Sequence, residues 1–440
     1  MTEQRKESIL DEAPTRPQLK SSSARVFDLS LLTVLFGGGN QTRTIDKRMP
    51  VRSTSIRGQL QFWWRATAGS RYTDLAQLRE AQTAIWGNTT QSSRVSVSVE
   101  AVSLGSMMPC AVFETNPQTG RFRGSPFWND PFRNNALPYA LFPFQGQLAS
   151  GGSAIEVEPA KFVRELKFRL KLQCPVELWP EVETAVWAWV HFGGVGSRTR
   201  RGCGALTCPQ LTSPDEAAFR QKLPTLATPG VAQEWPIFGE TYLGESGSDG
   251  ISAWDRSVGE LRHFRQGVNV GRNPGTKPNR PGRSRFPEPE AIRRVTRARP
   301  NKHPRLTQIP DTAYPRAEMG LPIVVHFQSP DEGGGQEPPD TTITPARSNP
   351  KQPIERMASP LILRPVKIGD KIYAMVHRLR TQPLMAVELR KGNVQVLETS
   401  DHIRGPELAN YPNSPLAKSP NGSALEAFLR RIQDNGFRKV

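Results

Sequence analysis

The clearest alternation in the chain runs from Phe162 to Leu172. There Phe162, Leu166, Phe168, Leu170 and Leu172 share one face, and Glu165, Lys167, Arg169 and Lys171 share the other. A period of two with one apolar side predicts a half-buried strand whose outer face is mostly cationic. Upstream, Ala24 to Phe36 gathers β-formers and runs into Gly37, Gly38 and Gly39, which reads as a strand opening into a basic loop that lasts to about Ser53. The period then changes. Ile56, Leu60, Trp63, Trp64 and Thr67 recur at helical spacing behind Ser53, Thr54 and Ser55, whose hydroxyls suit an N-cap, while Arg57, Gln61 and Arg65 form a polar stripe. A second helical run ends at Trp86, and Arg94 to Val102 alternates as a strand. From Pro180, the residues Val182, Ala185, Val186, Trp189 and Val190 predict a helix, with Ala205 to Leu211 as a closing strand.

This order of β, α, β, β, α, β is that of a ferredoxin-like, or RRM-like, antiparallel sheet with helices on one face. Further strands are expected at Leu321 to Gln328, Leu361 to Val366, Lys371 to Arg378 and Pro383 to Leu389, with a helix at Ala424 to Ile432 and a Pro/Gly-rich insertion over 331–353. The expected fold class is α+β: two tandem ferredoxin-like domains with long basic, Gly/Pro-rich insertions. A flexible tail covers 1–20, the first domain 21–230 and the second 231–440. No close internal sequence repeat links the two halves, although they can share a fold.

Composition sharpens this picture. Glycine (36) and proline (40) are abundant for 440 residues, so long connections are expected. The formal charge of +17 points to a polyanionic partner, nucleic acid before an anionic membrane. Residues 265–305 alone hold twelve Lys or Arg against two Glu, and read as an arm that a partner orders, with Arg283, Arg285, Arg293 and Arg294 as candidate contacts. The charge is spread through proline-broken loops and not on one amphipathic helix, which disfavours a membrane partner. No apolar run approaches membrane-spanning length and the start lacks a secretory core, so a cytoplasmic protein is expected. Cys110, Cys174, Cys203 and Cys208 are too scattered for a disulfide framework or a zinc site, and neither metal nor cofactor is expected.

Two segments carry candidate chemistry. His191 to Leu206, HFGGVGSRTRRGCGAL, joins five glycines to Arg198, Arg200 and Arg201 directly after a helix. Glycines let a ligand approach the backbone and guanidiniums suit phosphate oxygens. The plainer reading is a glycine-rich connector with solvated arginines; it is neither a Walker loop nor a dinucleotide fingerprint. The second segment, Leu35 to Arg65, sets Arg43, Lys47, Arg48, Arg52 and Arg57 ahead of and within the first helix, whose N-terminus at Ser53 to Ser55 suits a phosphate. Trp63 and Trp64 read chiefly as core, with at most one reaching RNA.

The combination of VLFGGG, STSIRGQLQFWWRA and HFGGVGSRTRRGCGAL resembles the RAMP superfamily of CRISPR ribonucleoproteins. With PRAEMGLPIVVHF (Pro315 to Phe327) and RMASPLILRPV (Arg356 to Val366), the chain is most similar to the first-subunit branch of the type III-B, or Cmr, effector complexes. The resemblance implies a non-catalytic RNA-binding subunit for antiviral defence. Such a subunit caps the backbone filament and binds the 3′ region of guide RNA and its target duplex. Its partners would be guide RNA, target RNA, the backbone subunit and a second head-end RAMP subunit, with no membrane. It carries the glycine-rich loop onto Gly193, Gly194, Gly196, Ser197, Arg198, Arg200, Arg201, Gly202 and Gly204, and the first-loop motif onto Gly37, Gly38, Gly39, Ser55, Ile56, Arg57, Gly58, Phe62 and Trp63. Related proteins that cleave RNA use a histidine near the first strand or an aspartate in the first long loop. The corresponding runner-up here is a ribonuclease using Asp46, flanked by Arg43, Lys47 and Arg48; an aspartate balancing local charge is the favoured reading. None of His191, His263, His303, His326, His377 and His402 sits in metal-ligand spacing with a carboxylate.

Overall fold

The computed structural model describes residues 22–39, 41–228, 234–247, 249–275, 282–301, 303–327, 336–346, 356–392, 395–411 and 413–440. Its first unit contains β1 (Ser22–Leu31), α1 (Ser53–Ala66), α2 (Leu75–Trp86), β2 (Ser96–Leu104), β3 (Leu166–Pro175), α3 (Trp179–Phe192) and β4 (Leu206–Thr207). The sheet order is β4-β1-β3-β2 and every pairing is antiparallel. Leu170 lies opposite Phe27 on one side and Val99 on the other, so the apolar positions form a single layer. Helices α1 and α3 cover that layer with Trp63, Trp64 and Trp189, all fully buried. The opposite face, with Lys167, Arg169 and Lys171, stays in solvent.

The second unit repeats the plan without repeating the sequence. It runs β5 (Ile237–Gly247), α4 (Gly250–Gln266), β6 (Leu361–Ile368), β7 (Lys371–Arg380), α5 (Ala424–Asp434) and β8 (Arg438–Lys439). The sheet order is β6-β7-β5-β8, so each unit places its fourth strand beside its first, then its third, then its second. Asp249 caps α4 by accepting from the Ile251 and Ser252 amides, and Ser423 caps α5 through the Glu426 amide.

The two units share a core. Ile362, Val366 and Met375 on one face of the second sheet join Trp189 and Phe192 of α3, while Leu361, Leu363 and Val376 on the other face meet Phe264 of α4 and Phe428 of α5. A sheet covered on both faces explains why β6 reads as a run of buried positions, whereas β3 alternates. Among the described residues no helix is long and apolar enough to cross a membrane.

Several expected boundaries move. The strand expected over Ala24 to Phe36 stops at Leu31, because the chain beyond it bonds to the glycine-rich loop. The Leu32 amide donates to the Ala205 carbonyl at 2.8 Å and the Val34 carbonyl accepts from Gly204 at 2.7 Å. Leu35–Phe36 pair instead with Lys161–Val163, which splits the expected Phe162 to Leu172 strand as well. Arg52, not Ser53 to Ser55, sits at the N-cap of α1, with no side-chain cap. The strand expected at Pro383 to Leu389 is Val387–Lys391, and the insertion over 331–353 includes a strand, Thr341–Pro345, in a small sheet with Ile323–Val325 and Gln395–Ser400. The rest of that insertion, 331–335 and 347–353, lies outside the described residues, as does the tail at 1–20.

The basic segment 265–305 is ordered by its own chain over most of its described length. Helix Glu288–Thr296 lies within it, and buried Glu290 accepts from Arg283, Arg293 and Arg299 at 2.7–2.9 Å. Arg293 also pairs with Glu337 at 2.9 Å, and Arg294 with Glu398 at 2.6 Å. Arg285 donates to the Asn269 carbonyl at 2.5 Å and the Asn273 side chain at 2.7 Å. Glu337 and Glu398 are distant in sequence, so charge counting over one window could not reveal them. Positions 276–281 and Lys302 are outside the described residues.

Two histidines are sealed in the core. His191 stacks on Trp187 and shares a hydrogen bond with its carbonyl, and His377 meets Thr241 at 3.0 Å; burial pushes both down to about 3 from 6.5. In the unfolded chain both take up a proton below about 6.5, so the unfolded state binds more protons and stability falls as the pH drops. We expect a loss of about 2 kcal/mol per histidine between pH 6.5 and 5. Urea unfolding at pH 7.5 and 5 measures it, and an unmoved midpoint would contradict the sealed, neutral state of the two rings.

Candidate nucleic-acid interface

The two glycine segments singled out in the sequence meet in space. Gly37 and Gly38 adopt φ of +78° and +96°, and a Cβ on Gly37 would lie 2.4 Å from the Ser197 hydroxyl oxygen. The Ser197 amide donates to the Phe36 carbonyl at 2.8 Å, and Thr33 donates its hydroxyl to the Gly202 carbonyl at 2.6 Å while accepting from the Ala205 amide at 2.9 Å. Only residues without side chains permit this approach. Gly193 lies against Trp63 and Trp189, Gly194 against Gly204, and Gly196 against Phe36.

Around this contact the arginines divide by their partners. Arg364, wholly buried on β6, donates to the Gly193, Leu206 and Pro365 carbonyls, and burial pushes it down to about 9. Arg200 donates to Ser359 at 2.5 Å with its guanidinium 5.6 Å above the Phe62 ring, and Arg201 donates to Leu361 at 3.1 Å. The glycine-rich loop is therefore anchored to the second unit. Arg198 is different. It stands at φ +57°, half-buried, with its Nε enclosed and unpartnered, and no side chain or carbonyl among the described residues accepts from its guanidinium. Desolvation lowers its proton affinity, and no carboxylate offsets that cost.

The first loop shows the same division. Arg43 donates to the Glu158, Pro143 and Phe144 carbonyls at 2.7–2.8 Å and so pins the loop to the rest of the unit. Arg57 reaches the Trp86 and Val95 carbonyls, and Arg52 lies 3.6 Å from Asp46. Lys47 and Arg48 point to solvent, and their side chains have no partner among the described residues. Asp46 accepts from the Arg48 and Met49 amides at 2.9 and 3.2 Å, and these bonds, with Arg52, hold its pKa below the usual carboxylate value. It closes its own turn. On α1, Ser55 and Gly58 are exposed, with open space beside Gly58, and Phe62 is half-buried.

Trp63 is a correction to the sequence reading. At 1% exposure it is core and offers no face to a base, because the Gly193 backbone and Phe192 cover it. Arg283, Arg285, Arg293 and Arg294 are likewise engaged by protein groups away from this loop contact. The sequence reading missed Arg364, whose signal was a cation set within the apolar stretch LILRPV. It also missed Tyr139, on the short helix Leu137–Leu141, and Arg265, on the last turn of α4.

What remains is a shelf of glycine backbone, the exposed start of α1, Phe62 and uncompensated cations, a surface suited to a sugar-phosphate strand. The sequence has known relatives in this region: residues 28–207 match the RAMP superfamily. Within that stretch the chain is similar to RAMP-superfamily proteins. It is 30% identical over 165 residues to CRISPR system Cmr subunit Cmr1-1 of Pyrococcus furiosus, spanning 37% of this chain and 42% of that relative. It is 26% identical over 196 residues to Cmr1-2 of the same organism, spanning 42% of this chain and 95% of that one. Among solved structures, it is similar to apo Cmr1 from Pyrococcus furiosus at TM-score 0.44 and 17% identity, over 82% of this chain and 89% of that one. It is also similar to a chain of the type III-B Cmr-beta complex bound to cognate target RNA, at TM-score 0.45 and 11% identity, over 80% and 94%.

The glycine-rich loop depends on a residue far along the chain. We expect Arg364→Ala to cost about 3 kcal/mol, since three carbonyls lose a donor and a void replaces the side chain. Chemical denaturation measures the loss, and hydrogen exchange at residues 193–206 should quicken with it. Unchanged protection of that segment would refute the anchoring role.

Proposed function

We propose that the chain is a non-catalytic RNA-binding subunit of a type III-B Cmr ribonucleoprotein. In this reading both units are ferredoxin-like, and the protein caps the backbone filament beside other Cmr subunits. It binds the 3′ region of the guide RNA and the guide-target duplex. The observation that carries the reading is Arg198, a half-buried cation held at a left-handed backbone position with no acceptor among the described residues. Arg43, Arg293 and Arg364, also buried or half-buried, give their guanidiniums to carboxylates or carbonyls, so an unneutralised one beside a glycine shelf fits a ligand that brings its own negative charge.

Gly37 to Gly39, Gly196 and Ser197 supply the close approach, Lys47 and Arg48 the solvent-side charge, and Phe62 a partial ring surface beside Ser55. Arg200 and Arg201 each fix the loop through one carbonyl, Ser359 and Leu361, which leaves Arg201 further N–H donors. Sequence preference should be weak, because guide pairing reads the target. The bonds of Asp46 to its own turn support a structural role for it over that of a general base, which needs a free carboxylate beside the reacting hydroxyl.

Arg198→Glu should weaken guide-RNA binding by the assembled complex ten- to a hundredfold, the worth of about one charge-assisted contact, while the protein stays folded. Filter binding with circular dichroism as the folding control decides it, and unaltered affinity removes the main support. For the catalytic alternative, purified protein should leave labelled guide and target RNA intact. Cleavage that Asp46→Ala abolishes without weakening binding would replace this reading with the ribonuclease.

A further inference from the structure

The charge left open at Arg198 is not solitary. Three parts of the chain meet beside the turn that carries it: the glycine-rich loop, the short helix Leu137–Leu141, and α4. These parts are packed together. Trp254 of α4 donates its ring N–H to the Arg201 carbonyl at 2.5 Å, Asp255 accepts from the Ala136 amide at 2.6 Å, and Arg262 reaches the Asn135 carbonyl at 3.4 Å. A Cβ on Gly202 would strike the Trp254 ring, which fixes how closely the loop sits on α4. Tyr139 packs against the apolar clusters that hold Leu261 and Phe264 on one side and Cys203 and Trp254 on the other. Tyr139, Arg198, Arg265 and Arg200 lie near enough to Arg201 to act on it electrostatically, as Cys203 and Tyr139 do on Arg198. No carboxylate is among them. Tyr139 and Arg265 are both half-buried, and neither the phenol hydroxyl nor the Arg265 guanidinium has a hydrogen-bond or ion-pair partner among the described residues.

We propose that Arg198, Arg201 and Arg265, with the Tyr139 hydroxyl, form a seat for one phosphodiester group of the bound RNA, so that the second unit contributes directly to the RNA path. This inference rests on the RNA-binding reading above and adds to it a residue, Arg265, from outside the RAMP-matching segment. A cation on the last turn of a helix is favoured by the helix dipole alone. That accounts for Arg265 by itself, but not for a cation placed near Arg201 and, with Arg198 and Tyr139, left without a hydrogen-bond or ion-pair partner among the described residues. Like charges so placed repel, and the chain disposes of comparable groups elsewhere by setting one carboxylate among them, as Glu290 does for Arg283, Arg293 and Arg299. Here the compensating charge is left to a ligand. Planar guanidiniums and a phenol O–H are donors, which suits non-bridging phosphate oxygens and not a cation or an amide.

The test uses the full chain and a single-stranded RNA oligonucleotide, with affinity measured across a salt series, and inorganic phosphate as a second probe. Arg265→Gln should lower affinity about tenfold and reduce the slope of log affinity against log salt by about 0.7, the signature of one lost phosphate contact. Arg265→Lys should keep the slope, and Tyr139→Phe, which alters little else, should weaken binding more modestly. Arg220→Gln, at an exposed position where the side chain pairs with Glu216, should change neither. Phosphate should raise the melting temperature of the native chain but not of Arg265→Gln. If Arg198→Glu weakens RNA binding while Arg265→Gln leaves slope, affinity and phosphate response intact, the seat is wrong and the RNA-binding reading survives. If phosphate stabilises through Arg265 but neither substitution affects RNA, the site serves a free phosphate ligand and the RNA assignment falls.

Discussion

A single buried cation joins the halves of this molecule. Arg364 lies on the second sheet, on the face turned toward the first unit, and is the buried cation of a strand whose other buried residues are apolar. Its guanidinium takes carbonyls from both ends of the glycine-rich loop, Gly193 at the start and Leu206 at the close. Glycine-rich turns have few contacts of their own, and their carbonyls would be buried and unsatisfied beneath α3 without a donor. An arginine supplies several donors in a fixed plane, which a lysine or a neutral side chain could not do from one position. The desolvation that pushes its pKa down to about 9 still leaves it charged near neutral pH.

With that anchor in place, the roles of the remaining loop arginines follow from geometry. Arg200 and Arg201 run in the reverse direction, from the loop to the Ser359 and Leu361 carbonyls, so the loop and the edge of the second sheet hold each other from both sides. Once those bonds are made, Arg198 is the loop arginine with no protein partner among the described residues. Rigidity and openness thus belong to neighbouring residues of one turn. The consequence for binding is that the free guanidinium is presented from a fixed backbone, which lowers the ordering cost when a ligand arrives.

Much of this was legible in the sequence where a single element decides its own pattern. The alternation of β3, the helical stripe of α3 and the closing helix from Ala424 all stand close to where their periodicity puts them, and the two glycine segments that the sequence marks do come together. What escaped depends on partners far along the chain. Helix α4 carries only a narrow apolar stripe of Trp254, Val258 and Leu261, interrupted by Gly259, and its clear N-cap at Asp249 was the signal that could have revealed it. The arginines of 283–294 looked like a free arm because Glu337 and Glu398, which help neutralise them, lie 44 and 104 residues away. Trp63 and Phe62 are adjacent in sequence, yet only Phe62 is left partly open, since one step along a helix is enough to carry a ring from core to surface.

The two sheets also differ in what they leave for other molecules. The second is covered on both faces, by α3 on one side and by α4 and α5 on the other, so its strands are committed to the interior. The first keeps an outer face on which Lys167 and Lys171 flank Arg169, and Arg169 is shared between Asp28 and Glu100 at 3.5 and 3.6 Å. Val26 and Val102, each about half exposed, lie on that same sheet. This outer surface mixes paired charge with isolated apolar residues, and its net charge is small. The glycine shelf, by contrast, concentrates unpaired cations beside open backbone. Two surfaces of one chain are therefore chemically distinct, and long-range attraction of a polyanion acts on the shelf far more than on the outer sheet. Charge placement, more than the total of +17, decides where a nucleic acid would come to rest.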